Sequence, residues 1–393
     1  MESSRSDPCE RLEPGVLIDP HPPNTMPVQR TSLPERNLDV LRAAAVLGVL
    51  CDHVAGALGR SSAFTDWLGG AGVQSFFVHT CLVLMASMER DGAPERQGWV
   101  RRFYVRRAFR IYPLAWVVIA IVYVLHVPPS SMHSAYEPIS RSTLLANLAL
   151  AQNLVARPDV LIVLWTLPVE LQMYVVLPLC FLVARLNSRA GMFALLAAGI
   201  VCASVFAWGI DPAHPIRYLS RLNVLRFVPS FLMGTLAYWL LRRRASGNEP
   251  LAAWIWLPFL LLNITLFYFP RHELGARWYV LASYCAVVAL MIPLVKDARD
   301  SWFARAAHVI ATYSYGIYLV HLPALRVGFV VLAGWPVAAQ CAVSVVVLAV
   351  GCWLAFHAIE KPGIAIGRRL AGGRGTDNTN GRPSATSPRD LAA

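Results

Sequence analysis

Ten apolar stretches recur along this chain, at 38–58, 67–88, 108–127, 160–184, 191–210, 224–241, 251–269, 277–295, 308–332 and 335–358. A helix gains about 1.5 Å per residue, so about 20 apolar residues cross the roughly 30 Å hydrocarbon core of a bilayer. Composition agrees with that reading. Hydrophobic residues make up 56% of the 393 positions and charged residues only 15%, against about 25% charged in soluble domains. The expected fold class is all-α, a polytopic transmembrane helix bundle of about ten spans. One further segment, "STLLANLALAQNLVA" at 142–156, is too short to span. It reads as a re-entrant or interfacial helix, or as part of an extracytoplasmic loop.

The formal net charge is +12, and Lys296 and Lys361 are the only lysines, so the basic excess is arginine. A basic balance can signal nucleic acid, but these arginines gather at the ends of apolar segments and report topology instead. Six of them (Arg90, Arg96, Arg101, Arg102, Arg106 and Arg107) follow the second span; Arg185 and Arg189 follow the fourth. Arg242, Arg243 and Arg244 end the sixth span, and Lys296, Arg299 and Arg305 follow the eighth. Lys361, Arg368 and Arg369 follow the tenth. The opposite loops hold fewer, namely Arg60, Arg141, Arg157, Arg217, Arg221, Arg271 and Arg277. Both termini are therefore expected to be cytoplasmic. Residues 1–35, rich in proline and polar side chains and without a cleavable-signal pattern, read as a disordered cytoplasmic tail, and 371–393 as another. The single membrane domain expected between them covers 36–370. Eight scattered cysteines, with no metal-type spacing, read as small packing residues, and no metal site is expected.

Against this background the polar intrusions matter. "AVLGVLCDHVAGALG" carries Asp52 and His53 in the middle of the first span, where each ionisable group costs a few kcal/mol. Arg42 and His53 are eleven positions apart, which at 100° per residue returns to within about 20° of one helix face. His53 lies about 22 Å beyond Leu38 along the axis, past the membrane midplane. Asp52 points about 100° away from His53 and would reach its ring only through another helix or a water. Snorkelling of Arg42 and packing of His53 between helices is the bland reading. Ionisable residues inside a membrane are more often functional.

Three more segments repeat the pattern. "VRRAFRIYPLAW" (105–116) brings Arg106, Arg107 and Arg110 together, and Arg110 sits deeper than flanking requires. Guanidinium forks suit phosphates and carboxylates. "LWTLPVELQMYVVLPL" (164–179) places Glu170 inside the fourth span, behind Pro168 and ahead of Gln172 and Tyr174. A deep glutamate needs a partner, and arginine from the first or third span is the obvious one. "TYSYGIYLVHLPAL" (312–325) sets Ser314, Tyr318 and His321 on one helix face. "HAIEKPGIAIGRR" ends the last span with Glu360 near the edge, where a solvated or salt-bridged carboxylate is expected. One shared polar cavity within the bundle accounts for four helices that each carry ionisable groups inward.

In this order the segments resemble the acyltransferase-3 family of multi-pass bacterial membrane enzymes that O-acylate sugars and other hydroxylated acceptors. The resemblance covers about 35–370 and rests on "NLDVLRAAAVLGVLCDH", "RRAFRIYP", "WTLPVELQMYVVLP", "YSYGIYLVHLP" and "EKPGIAIGRRL". The chain departs from it after "FFV", where the family usually has Ser-Gly-Phe and this sequence has His79, Thr80 and Cys81. The resemblance implies transfer of an acyl group, acetyl by default, from acyl-CoA to a hydroxyl of a sugar or glycosylated acceptor, in the plasma (inner) membrane. No permanently bound cofactor is implied. His53 is the expected general base, with Glu170 or Asp52 orienting the imidazole or stabilising the imidazolium. Arg107 and Arg110 would contact acyl-CoA at the cytoplasmic mouth, Arg42 would lie between the mouth and His53, and Tyr318 and His321 would join this donor-binding set. An acyl-histidine relay across the bilayer is a variant of the same scheme. The rival from another class is a transporter or flippase using the same intramembrane charges.

Overall fold

The computed structural model describes residues 33–128, 138–209, 219–244, 250–268 and 277–372. Nearly all of both expected tails, and Arg217 and Arg271, lie outside the described residues. The apolar stretches form helices throughout. They are α1 (Glu35–Ala57), α2 (Ala63–Arg90), α3 (Trp99–Val124), α4 (Arg141–Leu148), α5 (Thr166–Arg185), α6 (Arg189–Gly209) and α7 (Val224–Arg243). Then follow α8 (Trp256–Tyr268), α9 (Arg277–Met291), α10 (Trp302–Arg326), α11 (Val337–Leu354) and α12 (Lys361–Leu370). A 3-10 turn, Ile162–Trp165, leads into α5, and a π-helical turn, Ala355–Glu360, joins α11 to α12.

Among the described residues eight helices are long and apolar enough to cross a membrane, and Ala253–Tyr268 and Tyr279–Met291 form two shorter apolar ones. The short pair occupies the positions of the expected seventh and eighth spans. At 1.5 Å per residue their described parts run about 24 Å and about 20 Å. The second ends where Pro293 follows within two residues, a usual stop because proline cannot continue the backbone ladder. The chain is thus an all-α polytopic bundle.

Side chains such as Val175, Leu179, Phe193, Leu262 and Val345 are exposed on the outer faces. Lipid is as apolar as they are, so helix association rests on close packing and internal polar contacts. Small residues provide the packing. A Cβ at Gly72 of α2 would meet the Ala45 carbonyl oxygen of α1 at 2.5 Å, and one at Gly234 of α7 would meet the Val78 oxygen of α2 at 2.4 Å. Helix α2 therefore sits centrally, with Val78, Leu82 and Met85 fully buried.

The segment at 142–156 resolves into the eight-residue α4 and a run of turns. Its irregular backbone is tied down by side chains. Asn147 Nδ2 donates to the Thr143 and Pro158 carbonyls at 2.9 Å each, Asn147 Oδ1 accepts from Val160 N at 3.1 Å, and Gln152 Nε2 donates to Asp159 Oδ1 at 2.9 Å. Non-helical backbone within a membrane protein survives only when satisfied in this way. Pro168 does not interrupt a span. It falls in the first turn of α5, where backbone N–H groups lack helical partners in any case.

Candidate functional site

Helices α1, α2, α5 and α10 enclose a chamber of about 80 Å3 lined by Arg42, Phe76, Thr80, Thr166, Glu170 and Tyr315 among others. A water needs about 10–15 Å3 by this measure, so the chamber has room for several. Arg42 projects into it from α1 and donates from Nε to Ser314 Oγ at 2.7 Å; that hydroxyl in turn donates to the Ala311 carbonyl at 2.7 Å. From the facing α5, Glu170 accepts a hydrogen bond from the Tyr174 hydroxyl one turn on. Arg42, Arg107 and Arg110 all act electrostatically on Glu170. Three guanidiniums from the first and third spans thus offset one deep carboxylate. Tyr318 closes one wall, its hydroxyl 3.0 Å from Thr166 Oγ1 and donating to the Val163 carbonyl at 3.0 Å.

Beyond Tyr318 lies an imidazole pair. The rings of His53 on α1 and His321 on α10 have centroids 5.0 Å apart and are tilted by 35°. Tyr318 and His321 are themselves in ring contact at 6.1 Å. Arg42 and His53 therefore both face α10, as residues three turns apart on one face must if the helices pack along that seam. Asp52 turns elsewhere: it lies against α2, where a Cβ at Gly69 would meet Asp52 Oδ2 at 2.4 Å. The fold brings Arg42, Glu170 and Tyr318 to the chamber, sets the His53–His321 pair next to Tyr318 but outside the chamber lining, and leaves Asp52 on another interface.

A second cavity, of about 250 Å3, is lined by Arg90, Arg106, Arg107, Arg110 and Arg368 with Ser87 and Asp91. Arg106 pairs with Asp91 at 2.5 Å. Arg110 is ion-paired to Glu360, whose side chain is fully buried, and its guanidinium carbon sits 5.4 Å from the centre of the Tyr315 ring. Tyr315 is anchored by donating to the Ile111 carbonyl at 2.8 Å. Arg110 borders the basic cavity and Tyr315 borders the chamber, so their contact joins the linings of the two.

Glu360 is the residue that sequence reasoning undervalued. It is salt-bridged, one of the two expected states, and its side chain is fully buried. A signal existed: Arg110, deep in the third span, required an anion, and only Glu170 was considered for it. The π-helical turn that ends at Glu360 and the glycines beyond it explain the position. A Cβ at Gly363 would meet the Phe109 carbonyl oxygen at 2.8 Å, so α12 lies hard against α3. Three further contacts of acidic side chains were not foreseen. Glu89 of α2 lies 3.5 Å from Arg185 of α5 and 3.6 Å from Arg242 of α7, and Asp39 meets His308 Nδ1 at 2.8 Å.

The departure at 79–81 has a structural counterpart. Thr80 lines the chamber. His79 is buried, with Nδ1 unpartnered. Cys81 packs with its Sγ 3.4 Å from Thr235 Oγ1, and a Cβ at Gly234 would meet Cys81 Cβ at 2.6 Å. The close helix approach that a glycine on α2 would permit is here permitted by a glycine on α7.

Comparison with known proteins bears on this arrangement. An acyltransferase-domain family profile matches residues 35–356. A Bacillus subtilis (strain 168) protein named as a peptidoglycan O-acetyltransferase, YrhL, is 24% identical over 354 residues, covering 83% of this chain and 54% of the relative. A Komagataeibacter xylinus protein named as a membrane-bound transacylase, BcsY, is 24% identical over 350 residues, covering 84% of this chain and 83% of its own length. The chain thus spans about half the length of the first relative. No solved structure matches. The matched region holds every helix that lines the chamber, and the chain belongs to the acyltransferase-3 family.

Proposed function

We propose that this protein is a membrane O-acyltransferase that moves an acyl group from acyl-CoA to a hydroxyl of a carbohydrate or glycosylated acceptor. The observation that carries the reading is a row of neighbours: a cavity with five arginines, the Arg110–Tyr315 contact, the chamber bordered by Tyr318, and then the His321–His53 ring pair. A donor with phosphates at one end and a thioester at the other fits that order. Arg107 and Arg110 take the phosphates through charge-assisted, forked hydrogen bonds. The arm runs past Arg42 and Tyr318, and the thioester reaches His53, about 16 Å beyond Arg42 along α1. Acetyl is the acyl group proposed, as in the name of the peptidoglycan O-acetyltransferase relative.

His53 is the general base. It takes the proton of the acceptor hydroxyl as that oxygen bonds to the thioester carbonyl carbon; the C–S bond then breaks, and His53 returns the proton to the leaving thiolate. Glu170 balances the arginines along the route. Asp52, next to His53 in the chain, faces α2 and is the weaker candidate for orienting the ring. The first relative's name favours a cell-envelope sugar as acceptor, and the reading puts the arginine-rich end in the cytoplasm of a plasma-membrane protein with both termini on that side.

The test is acyl transfer from radiolabelled acetyl-CoA to envelope glycan in proteoliposomes. Loss of general-base catalysis is worth about 10²–10⁴-fold, so His53→Ala is expected to lose at least about 100-fold at normal abundance. Wild-type rates in that variant would overturn the assignment. Movement of labelled sugar without thioester consumption would favour the transporter reading.

A further inference from the structure

The His321 side chain is 1% exposed. Its Nδ1 lies 3.0 Å from the Ile317 carbonyl oxygen one turn back. A carbonyl only accepts, so Nδ1 carries the hydrogen, and the neutral ring then presents a lone pair at Nε2. That Nε2 is buried and has no hydrogen-bond partner. Unpaired buried acceptors are uncommon enough in native structures to require an explanation. The neighbouring ring is His53, with centroids 5.0 Å apart.

A histidine that acts as a general base needs its other nitrogen held, because that bond sets the tautomer and aims the reactive lone pair. A carboxylate usually does this. Here Asp52 is turned to α2 and Glu170 is engaged by Tyr174. We propose that His321 is the positioning residue for His53: with donor bound, the neighbouring His53 ring turns one N–H onto the open Nε2 lone pair of His321 while its opposite nitrogen takes the acceptor's proton. The inference rests on the function proposed above and gives that reaction its orienting group. During transfer the proton of the acceptor hydroxyl moves to the free His53 nitrogen and then to the thiolate, whereas the N–H held by His321 stays in place. A neutral imidazole stabilises the imidazolium less than a carboxylate would, but it puts no second charge into the membrane interior, where charge is expensive.

Two substitutions separate the roles of the two ring nitrogens. The amide of His321→Asn can reproduce the Nδ1–H bond to Ile317 and has nothing at the Nε2 position. The longer His321→Gln places an amide oxygen there as an acceptor. Steady-state kinetics in proteoliposomes, with acetyl-CoA as donor and rates taken per folded molecule, are expected to show a kcat about 10-fold or more lower for Asn at unchanged KM for the donor. Gln is expected to restore most of kcat. Equal kcat for the two variants would overturn the proposal, as would a raised KM at normal kcat, which is the signature of a donor-binding residue. Reduced abundance with normal kcat per folded molecule, the signature of packing alone, would do the same. His53→Ala run in parallel keeps the two readings apart: activity in that variant defeats the proposed function, whereas a dead His53→Ala beside a fully active His321→Asn defeats only this inference.

Discussion

Arg110 and Glu360 are 250 positions apart and buried together, and neither is tolerable there alone. Removing one member of a buried ion pair strands the other charge and costs about 3–5 kcal/mol, whereas replacing both with apolar groups of similar volume is often neutral for stability. Glu360→Ala should therefore lower the thermal midpoint of the detergent-solubilised protein markedly, while Arg110→Met combined with Glu360→Leu should return it close to wild type. The double variant should still lack acetyl transfer, because Arg110 would be missing from the donor cavity. Restored stability with restored transfer would show the pair to be structural only. Glu360 also marks where residue-level legibility ended. The arginines, His53, Glu170 and the Ser314–Tyr318–His321 face could be read as polar groups out of place in apolar segments, and helical spacing was enough to align them. Which cation meets which anion depends on how α12 folds back on α3, and no local spacing encodes that.

Helix packing here depends on places where backbone meets backbone. Gly234 is such a place: a Cβ there would meet the Val78 carbonyl oxygen at 2.4 Å and Cys81 Cβ at 2.6 Å. Backbone cannot step aside as a side chain can, so Gly234→Ala is expected to cost about 1–3 kcal/mol as an overpacking change and Gly234→Leu to part α2 from α7. Thermal unfolding and membrane abundance of both variants check this, and unchanged values would show that the crossing is looser than the geometry requires. The α4 turns make a second case. Burial raises the carboxyl of Asp159 above its ordinary value of 3.8, despite the hydrogen bond from Gln152. A carboxyl whose folded value is raised favours the fold in its protonated form; that contribution is full below 3.8 and is lost as pH rises through the raised folded value. Asp159→Asn keeps an acceptor oxygen and cannot ionise, so it should be more stable than wild type at neutral pH and no more stable at pH 3. The helices themselves were legible because about 20 apolar residues admit few other structures. The start of α5 at Thr166, ahead of Pro168, and the end of α9 before Pro293 were less so, because composition continues across the points where caps and prolines end a helix.

The arginine asymmetry that orients the chain in sequence reappears in space as one basic cavity, in which Arg90 from the end of α2, Arg106, Arg107 and Arg110 from α3 and Arg368 from α12 converge. Residues far apart in the chain reach one end of the bundle because each follows an even-numbered crossing in the sequence. Orientation and chemistry are then a single question, since the proposed donor, acyl-CoA, is available only on the cytoplasmic side. Single cysteines at Arg60, exposed between α1 and α2, and at Arg101, exposed at the start of α3, test it in a background whose own cysteines are replaced by serine. A membrane-impermeant maleimide applied to intact cells stripped of outer layers should label Arg60→Cys at once and Arg101→Cys only after permeabilisation. The reverse pattern would place the five arginines on the side without donor, and the basic cavity would then require a different anion and the protein a different reaction.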